Sequence, residues 1–78
     1  MVDHALVKKV MASVLEVDAS QITEESSMDT IGSWDSLRQM NLVLALEESF
    51  SVSIPDEDAA NATSYKLIVL VLGEQLAS

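Results

Sequence analysis

Residues 34–50 read WDSLRQMNLVLALEESF, and this stretch decides the fold because its apolar residues recur at helical spacing. Asp35 is a good N-cap, so we expect a helix that begins at Asp35 or Ser36 and runs to about Phe50. Pro55 and the polar residues before it indicate that the helix has ended by that point. The stretch therefore predicts a helix of about four turns.

The apolar side chains of this helix fall on two separate stripes. One has the spacing of a core-facing surface and consists of Leu42, Val43, Leu46 and Phe50. The other consists of Leu37, Met40 and Leu44. Because one apolar face is enough to attach a helix to a small bundle, we expect the second stripe to be an exposed contact surface for other proteins. The alternative is that the helix lies at the centre of the fold and that both stripes are buried.

The segment before this stretch predicts one helix followed by a long loop. Apolar residues recur at helical spacing from Asp3 to about Glu16, and Asp3 can serve as the N-cap. Residues 17–35 lose this periodicity, and Gly32 adds a flexible turn just before the next helix. An unanchored loop of this length would be unusual in a compact domain, so we expect its apolar residues to hold it against the core. These residues are Val17, Ile22, Met28 and Ile31.

The segment after the long helix predicts two further helices. Pro55 at the first helical position, followed by three acids, favours a short helix of about one to two turns. Thr63 or Ser64 is expected to cap a last helix that extends to about Leu76. The apolar run of residues 67–72 would also suit a buried strand, but the cap and the lack of a partner strand favour a helix. The sequence thus predicts an all-α chain.

The composition is that of a small acidic domain. The 78 residues are 49% hydrophobic and carry 13 acids against 4 bases, which gives a net charge of −9. We expect one domain that spans residues 1–78 and is too small to enclose a deep catalytic cleft. Nucleic acid and anionic membranes repel such a surface and are not expected partners, whereas basic patches on other proteins attract it. The alternative is that the charge only keeps the protein soluble.

Several classes of site and location are excluded by what the sequence lacks. Cysteine is absent, which removes disulfides, thiolate nucleophiles and Cys-ligated metals. The acids at 56–58 are consecutive and no calcium-loop pattern is present, so no metal site is expected. There is no signal-peptide pattern, and the longest apolar run is too short for a membrane span. We expect a soluble, cytoplasmic and monomeric protein.

Ser36 is the candidate residue for chemistry. It lies at the predicted start of the long helix, where the first N–H groups lack intrahelical partners and the helix dipole is positive, so a phosphodiester on its Oγ would be stabilised. A role as a catalytic nucleophile would need a base. The only histidine, His4, lies at the start of the first helix and is expected to be a solvated surface residue. No catalytic residue is therefore predicted, and Trp34 and Tyr65 are expected to be packing residues.

Three groups of residues give the chain a resemblance to a known family. They are Trp34-Asp35-Ser36-Leu37, the LVLALEESF segment at 42–50, and Ile54-Pro55-Asp56-Glu57. An isolated Asp-Ser-Leu is a weak signal, but at this distance from the other two groups, in an acidic chain of 78 residues, it is a strong one. On these residues the chain resembles the acyl carrier protein family, the phosphopantetheine-attachment domains of fatty acid, polyketide and nonribosomal peptide synthesis.

The resemblance implies a four-helix bundle with a short third helix and a long loop between the first two helices. It implies that a phosphopantetheinyl transferase attaches 4′-phosphopantetheine from coenzyme A to Ser36, and that acyl intermediates are carried as thioesters on this arm. It also implies that the helix at Ser36 is recognised by basic docking patches of partner ligases, synthases and transferases. The corresponding partner-binding residues are Asp35, Leu37, Met40, Leu44, Glu47, Glu48 and Asp56. Reversing Glu47 or Asp35 to Lys is expected to slow modification and to leave the fold intact.

The chain also departs from the carriers of bacterial fatty acid synthesis. Arg38 and Asn41 stand where those carriers usually keep acids, and Ala62 is small where they tend to have a larger apolar residue near the acyl pocket. With Trp34, these differences suggest a specialised pathway, such as polyketide or other secondary-metabolite biosynthesis, rather than a housekeeping role. Two alternatives stay open: an aminoacyl or peptidyl carrier loaded by a dedicated ligase, and an acidic helical adaptor that binds proteins without modification.

Overall fold

A computed structural model describes residues 2–77 and contains four α-helices there. They are α1 (His4–Leu15), α2 (Ser36–Phe50), α3 (Asp56–Asn61) and α4 (Tyr65–Ala77), with a 3₁₀ turn at Ala19–Gln21 in the loop between α1 and α2. The predicted all-α fold, with its short third helix and long first loop, is confirmed, and so is the helical assignment of residues 67–72. Within residues 2–77, no helix is both long and apolar enough to cross a membrane.

Side-chain caps fix the starts of α1 and α4 as the sequence predicts. The carboxylate of Asp3 accepts a hydrogen bond from the Leu6 N–H at 3.1 Å. The Ser64 hydroxyl accepts one from the Leu67 N–H at 3.2 Å, so Ser64 rather than Thr63 is the cap of α4. Each cap supplies an acceptor to an N–H group that the helix start leaves without an intrahelical partner.

The predicted place of Pro55, at the first helical position, is wrong by one residue. Its ψ is 144°, which is extended, and its carbonyl accepts the Ala59 N–H at 2.9 Å. Pro55 is therefore the N-cap and α3 begins at Asp56. The proline ring fixes φ but leaves ψ open, so the residue can end an extended segment as readily as it can begin a helix.

The core is formed by side chains from α1, α2, α4 and the long loop. Among the loop residues, Ile22 and Ile31 are buried, and Val17 and Met28 pack partly buried against the core, as predicted. Trp34 and Tyr65 are 2% and 1% exposed and are confirmed as packing residues. The short helix α3 contributes no buried residue of its own, although Ile54 and Ala62 on either side of it are buried.

The two stripes of α2 face opposite environments. Leu42 and Leu46 are buried, and Val43 and Phe50 pack against the core. The residues of the second stripe are 69%, 66% and 60% exposed, in the order Leu37, Met40 and Leu44. The alternative that both stripes are buried is thus wrong, and the exposure of the second stripe is confirmed. Its use as a contact surface stays a prediction.

Candidate functional site

Ser36 is the first residue of α2, and it is exposed. Asp35 before it is the N-cap, because its carboxylate accepts the Arg38 N–H at 2.9 Å and its carbonyl accepts the Gln39 N–H at 2.8 Å. The N–H groups of the first turn point away from the helix without intrahelical acceptors. The Ser36 hydroxyl therefore lies at the positive end of a helix of 15 residues.

The turn before α2 is held by hydrogen bonds and not by the conformational freedom of a glycine. The Trp34 N–H donates to the Ile31 carbonyl at 3.0 Å, and the Ser33 hydroxyl donates to the Leu15 carbonyl at 2.7 Å, at the end of α1. Gly32 does not take a positive φ, and a Cβ at this position would meet nothing within 4 Å. The predicted turn at Gly32 is present just before α2, and its flexibility stays a prediction. The hydrogen bonds to the loop and to α1 hold it without requiring a glycine conformation.

Arg38 connects the start of α2 to the end of α1. Its Nη1 donates to the Val14 carbonyl at 2.8 Å, and its Nη2 pairs with the carboxylate of Glu16. Glu16 is the left-handed C-cap of α1, with a φ of 57°. A cation is favourable here because the C-terminal end of a helix dipole is negative. The charge of Arg38 is thus balanced within the fold, which accounts for a base at a position where the resembled carriers keep an acid.

The residue that the sequence analysis misses is Gln39, which is buried on the core side of α2. Its Nε2 donates to the carbonyls of Ala59 and Ala62, at 2.8 and 2.9 Å. Its Oε1 accepts a hydrogen bond from Trp34 Nε1 at 2.7 Å. A glutamine in a helix is normally assigned to solvent. However, it lies three residues before Leu42 and so continues the core stripe, and this spacing is the signal that could have found it.

A groove of about 340 Å³ lies between α2 and α3, beside a second depression of about 440 Å³. Four of the seven predicted partner-binding residues line the groove: Met40, Leu44, Glu47 and Asp56. Leu44 and Glu47 also border the second depression, together with Glu48. Asp35 and Leu37 are exposed at the start of α2, outside both. The structure therefore brings five of these residues together and leaves two beside Ser36.

Glu47 is half-buried, and one of its oxygens is used within the fold. Its Oε2 accepts the Ile54 N–H at 2.7 Å and so fixes the segment that leads into α3. Asp35 is needed as the cap of α2. A lysine ammonium cannot accept either hydrogen bond. Reversing either acid would therefore remove a hydrogen bond within the fold, and whether the fold stays intact stays a prediction. Glu48, which is exposed, is the more suitable place for a charge reversal.

His4 is exposed, but it is not simply solvated as predicted. Its Nδ1 lies 2.7 Å from the hydroxyl of Tyr65, and the Lys8 ammonium lies 5.8 Å from the centre of the Tyr65 ring. Burial raises the pKa of the Tyr65 phenol above its ordinary value of 10.0, and the negative charge of Glu24 is the smaller cause. The contact with Tyr65 gives His4 a structural role in joining α1 to α4.

The surroundings of Ser36 fit a covalently attached phosphodiester. Ser36 is exposed at the N-terminus of a long helix, where a phosphate group is stabilised. The neighbouring carboxylate of Asp35 is directed to the Arg38 N–H, so it is engaged in the cap. Within residues 2–77, no group of three or more His, Asp and Glu side chains could hold a metal ion. What this site offers is an attachment point at a fixed place on the surface.

Known proteins share both the sequence pattern and the fold. A family model described as "Phosphopantetheine attachment site" matches residues 5–71, a range that contains Ser36. The solution NMR structure of a holo acyl carrier protein from Geobacter metallireducens superposes with a TM-score of 0.84. The two sequences are 23% identical, and the match covers 99% of this chain and 88% of that chain. This similarity confirms the carrier-protein fold.

The family match extends over most of the chain and decides the class of protein. Domains of this family bear a covalently attached 4′-phosphopantetheine. Such domains carry the attached group and are not themselves enzymes. The chain therefore belongs to the phosphopantetheine-attachment family of carrier proteins and has the fold of an acyl carrier protein.

Proposed function

We propose that a phosphopantetheinyl transferase attaches 4′-phosphopantetheine from coenzyme A to Ser36, and that the protein carries acyl intermediates for fatty-acid-like or specialised biosynthesis. When attached, the group supplies a terminal thiol on a long arm, and the cargo is held there as a thioester. The exposed hydroxyl of Ser36 at the N-terminus of α2 is the observation that carries this proposal. The chain's own contribution is to hold that hydroxyl in place through the Asp35 cap and the Arg38 and Ser33 contacts with α1.

Three other serines use their hydroxyls in hydrogen bonds within the fold. Ser33 donates its hydroxyl to the Leu15 carbonyl, and Ser64 uses its hydroxyl to cap α4. Ser26 is buried and accepts the Thr23 N–H at 2.8 Å. Ser36 thus differs from these serines in being exposed, at the first position of a long helix and beside an exposed apolar stripe.

The surface downstream of Ser36 has the character of a docking site for enzymes with basic patches. Its centre is the exposed apolar stripe, which would be buried on contact. The acids around the stripe would raise the association rate, while a modest affinity would let the carrier leave each enzyme. The proposed docking residues are Asp35, Leu37, Met40, Leu44, Glu47, Glu48 and Asp56.

Intact mass spectrometry after incubation with coenzyme A and a broad-specificity transferase tests the attachment site. The expected result is the addition of one phosphopantetheine to the wild-type protein and none to Ser36→Ala. Ser49→Ala, which removes an exposed serine from the same helix, is the matched control and should be modified fully. An unmodified wild-type protein, or a modified Ser36→Ala variant, would contradict the proposal.

A second candidate function differs from the first in the cargo that the arm carries. An aminoacyl or peptidyl carrier shares the attachment chemistry, and the polar contacts that tie α3 to α2 favour a short or polar cargo. Loading assays with purified acyl and aminoacyl ligases separate the two. Membership of the family speaks against an unmodified adaptor. The cytoplasmic location, the monomeric state and the single domain over residues 1–78 stay predictions.

A further inference from the structure

The helix α3 is tied to α2 by polar side chains at two places. Gln39 holds its C-terminal part, through hydrogen bonds of 2.8 and 2.9 Å to the carbonyls of Ala59 and Ala62. Glu47 holds the segment before its start, through the 2.7 Å bond from the Ile54 N–H. Both side chains also line the groove between the two helices. The groove is therefore spanned by a polar contact towards each end of α3.

These contacts matter because α3 has little apolar packing of its own beyond Ala59, which is partly buried against the core. It is six residues long, and none of them is buried. Ile54 and Ala62 anchor the chain on either side, but the helix between them depends on its contacts with α2. Gln39 in addition accepts the 2.7 Å bond from Trp34, so moving it away would leave three polar groups without their partners.

The position of these contacts bears on where a cargo could go. Gln39 lies one turn after Ser36, at the end of the groove that an arm on Ser36 would reach first. A cargo that entered the core between α2 and α3 would have to push α3 outward. That movement would break the bonds from Gln39 Nε2 and leave this amide group and the Ala62 carbonyl without partners among apolar side chains, which is unfavourable.

We propose that Gln39 and Glu47 form a clamp that keeps α3 closed against α2, so that a cargo on Ser36 stays outside the apolar core. This inference rests on the proposed attachment at Ser36. It assigns the cargo to a chemical class: aminoacyl groups or short acyl groups, which present little apolar surface to water and need no more shelter than the open groove offers. A long aliphatic chain would remain largely exposed on this carrier.

The test compares butanoyl, octanoyl and dodecanoyl forms of the full chain, made by transferring the acyl-phosphopantetheine from the corresponding acyl-coenzyme A. Intact mass is measured first, and a protein that gains no mass would overturn the attachment and this inference with it. The thioesters are then cleaved with hydroxylamine. Because only the exposed fraction of the cargo reacts, a closed clamp predicts cleavage rates that agree within about threefold for all three chain lengths. Wild-type octanoyl or dodecanoyl forms that react more slowly than this would overturn the clamp.

Variants of the clamp test the residues themselves. Gln39→Ala should slow cleavage of the octanoyl form by more than about threefold relative to the butanoyl form, because α3 can then open. Asn41→Ala, an exposed change on the same helix, should behave like the wild type. If Gln39→Ala does not fold, Glu47→Ala opens the other contact, and Glu47→Gln, which keeps an oxygen acceptor for the Ile54 N–H, is its control. A folded opened variant that gives the octanoyl form no protection contradicts the proposal.

Discussion

Replacing Gln39 by Leu would test how α2, α3 and the long loop are held together. The substitution keeps a side chain of similar size in the core stripe and removes three hydrogen bonds at once. Two of the partners, Trp34 and Ala62, are 2% and 4% exposed, so water cannot replace the glutamine there. The third partner, the carbonyl of Ala59, belongs to a half-exposed residue that water can reach.

The expected loss of stability follows from these exposures. A buried donor or acceptor that is left without a partner costs about 1–3 kcal/mol of stability. This whole cost applies to both the Trp34 N–H and the Ala62 carbonyl, because both are buried. The larger apolar surface of Leu offsets about 1–2 kcal/mol of this cost. With the middle of each range, the free energy of unfolding should fall by about 2–3 kcal/mol. A domain of this length has a free energy of unfolding of about 4–12 kcal/mol, so the variant should still fold.

Urea denaturation followed by far-ultraviolet circular dichroism measures this loss. Asn41→Leu, an exposed substitution on the same helix, should change the free energy of unfolding by no more than about 0.5 kcal/mol. The double variant Trp34→Phe/Gln39→Leu should lose less than the two single variants added together, because it removes the donor and its acceptor at once. Two results would refute this reasoning: a loss below about 0.5 kcal/mol for Gln39→Leu, or losses of the two single variants that are strictly additive in the double variant. Either result would mean that the buried hydrogen bonds of Gln39 do not stabilise the fold.

Three further predictions concern other parts of the molecule. Arg38→Ala should lower the free energy of unfolding, measured in urea, by about 0.5–1.5 kcal/mol, mainly because its hydrogen bond to the Val14 carbonyl is lost. Glu16→Gln should lower it less, because the Arg38–Glu16 ion pair is largely exposed. Burial raises the pKa of Tyr65, so the stability that its protonated phenol contributes should be complete below pH 10.0 and lost as the pH rises through the folded-state pKa. Tyr65→Phe also loses the bond to His4 and should be less stable at neutral pH. In urea denaturation measured at increasing pH, this variant should lack the alkaline loss of stability. Glu48→Lys should lower kcat/KM for modification by the transferase by about threefold at low salt, with an unchanged melting temperature, and the difference should shrink in high salt; an equal effect at all salt concentrations would argue against docking through this charge.

The helices and the exposed stripe could be predicted because their causes are local. The cap at Asp35 needs only the N–H of Arg38 three residues on, and the helix itself brings the two together. The separation of Leu42 from Leu44 into buried and exposed faces follows from 3.6 residues per turn. Ser36 could be predicted as the candidate residue for similar reasons, because the helix start and the motif of residues 34–37 both lie within a few residues of it.

The polar contacts around the site could not be predicted in this way, because their partners come from distant parts of the chain. Gln39 bonds to a carbonyl 23 residues away, and Arg38 bonds to one 24 residues away. Both acceptors are backbone groups, which every residue has, so no side-chain pattern marks them. The interpretation of Glu47 as a surface acid was incomplete for the same reason, since its partner is the backbone N–H of Ile54.

These inward contacts change what the surface of α2 offers to a partner enzyme. Arg38, Gln39 and Glu47 all use polar atoms within the fold, and Asp35 uses its carboxylate in the cap. Among the proposed docking acids, Asp35 and Glu47 keep their charge but cannot turn towards a partner without giving up these bonds, whereas Glu48 is exposed. The exposed apolar stripe must then supply more of the binding free energy than the acids do, since exposed charges chiefly affect the association rate. We accordingly expect the affinity for partners to depend less on salt than a net charge of −9 would suggest.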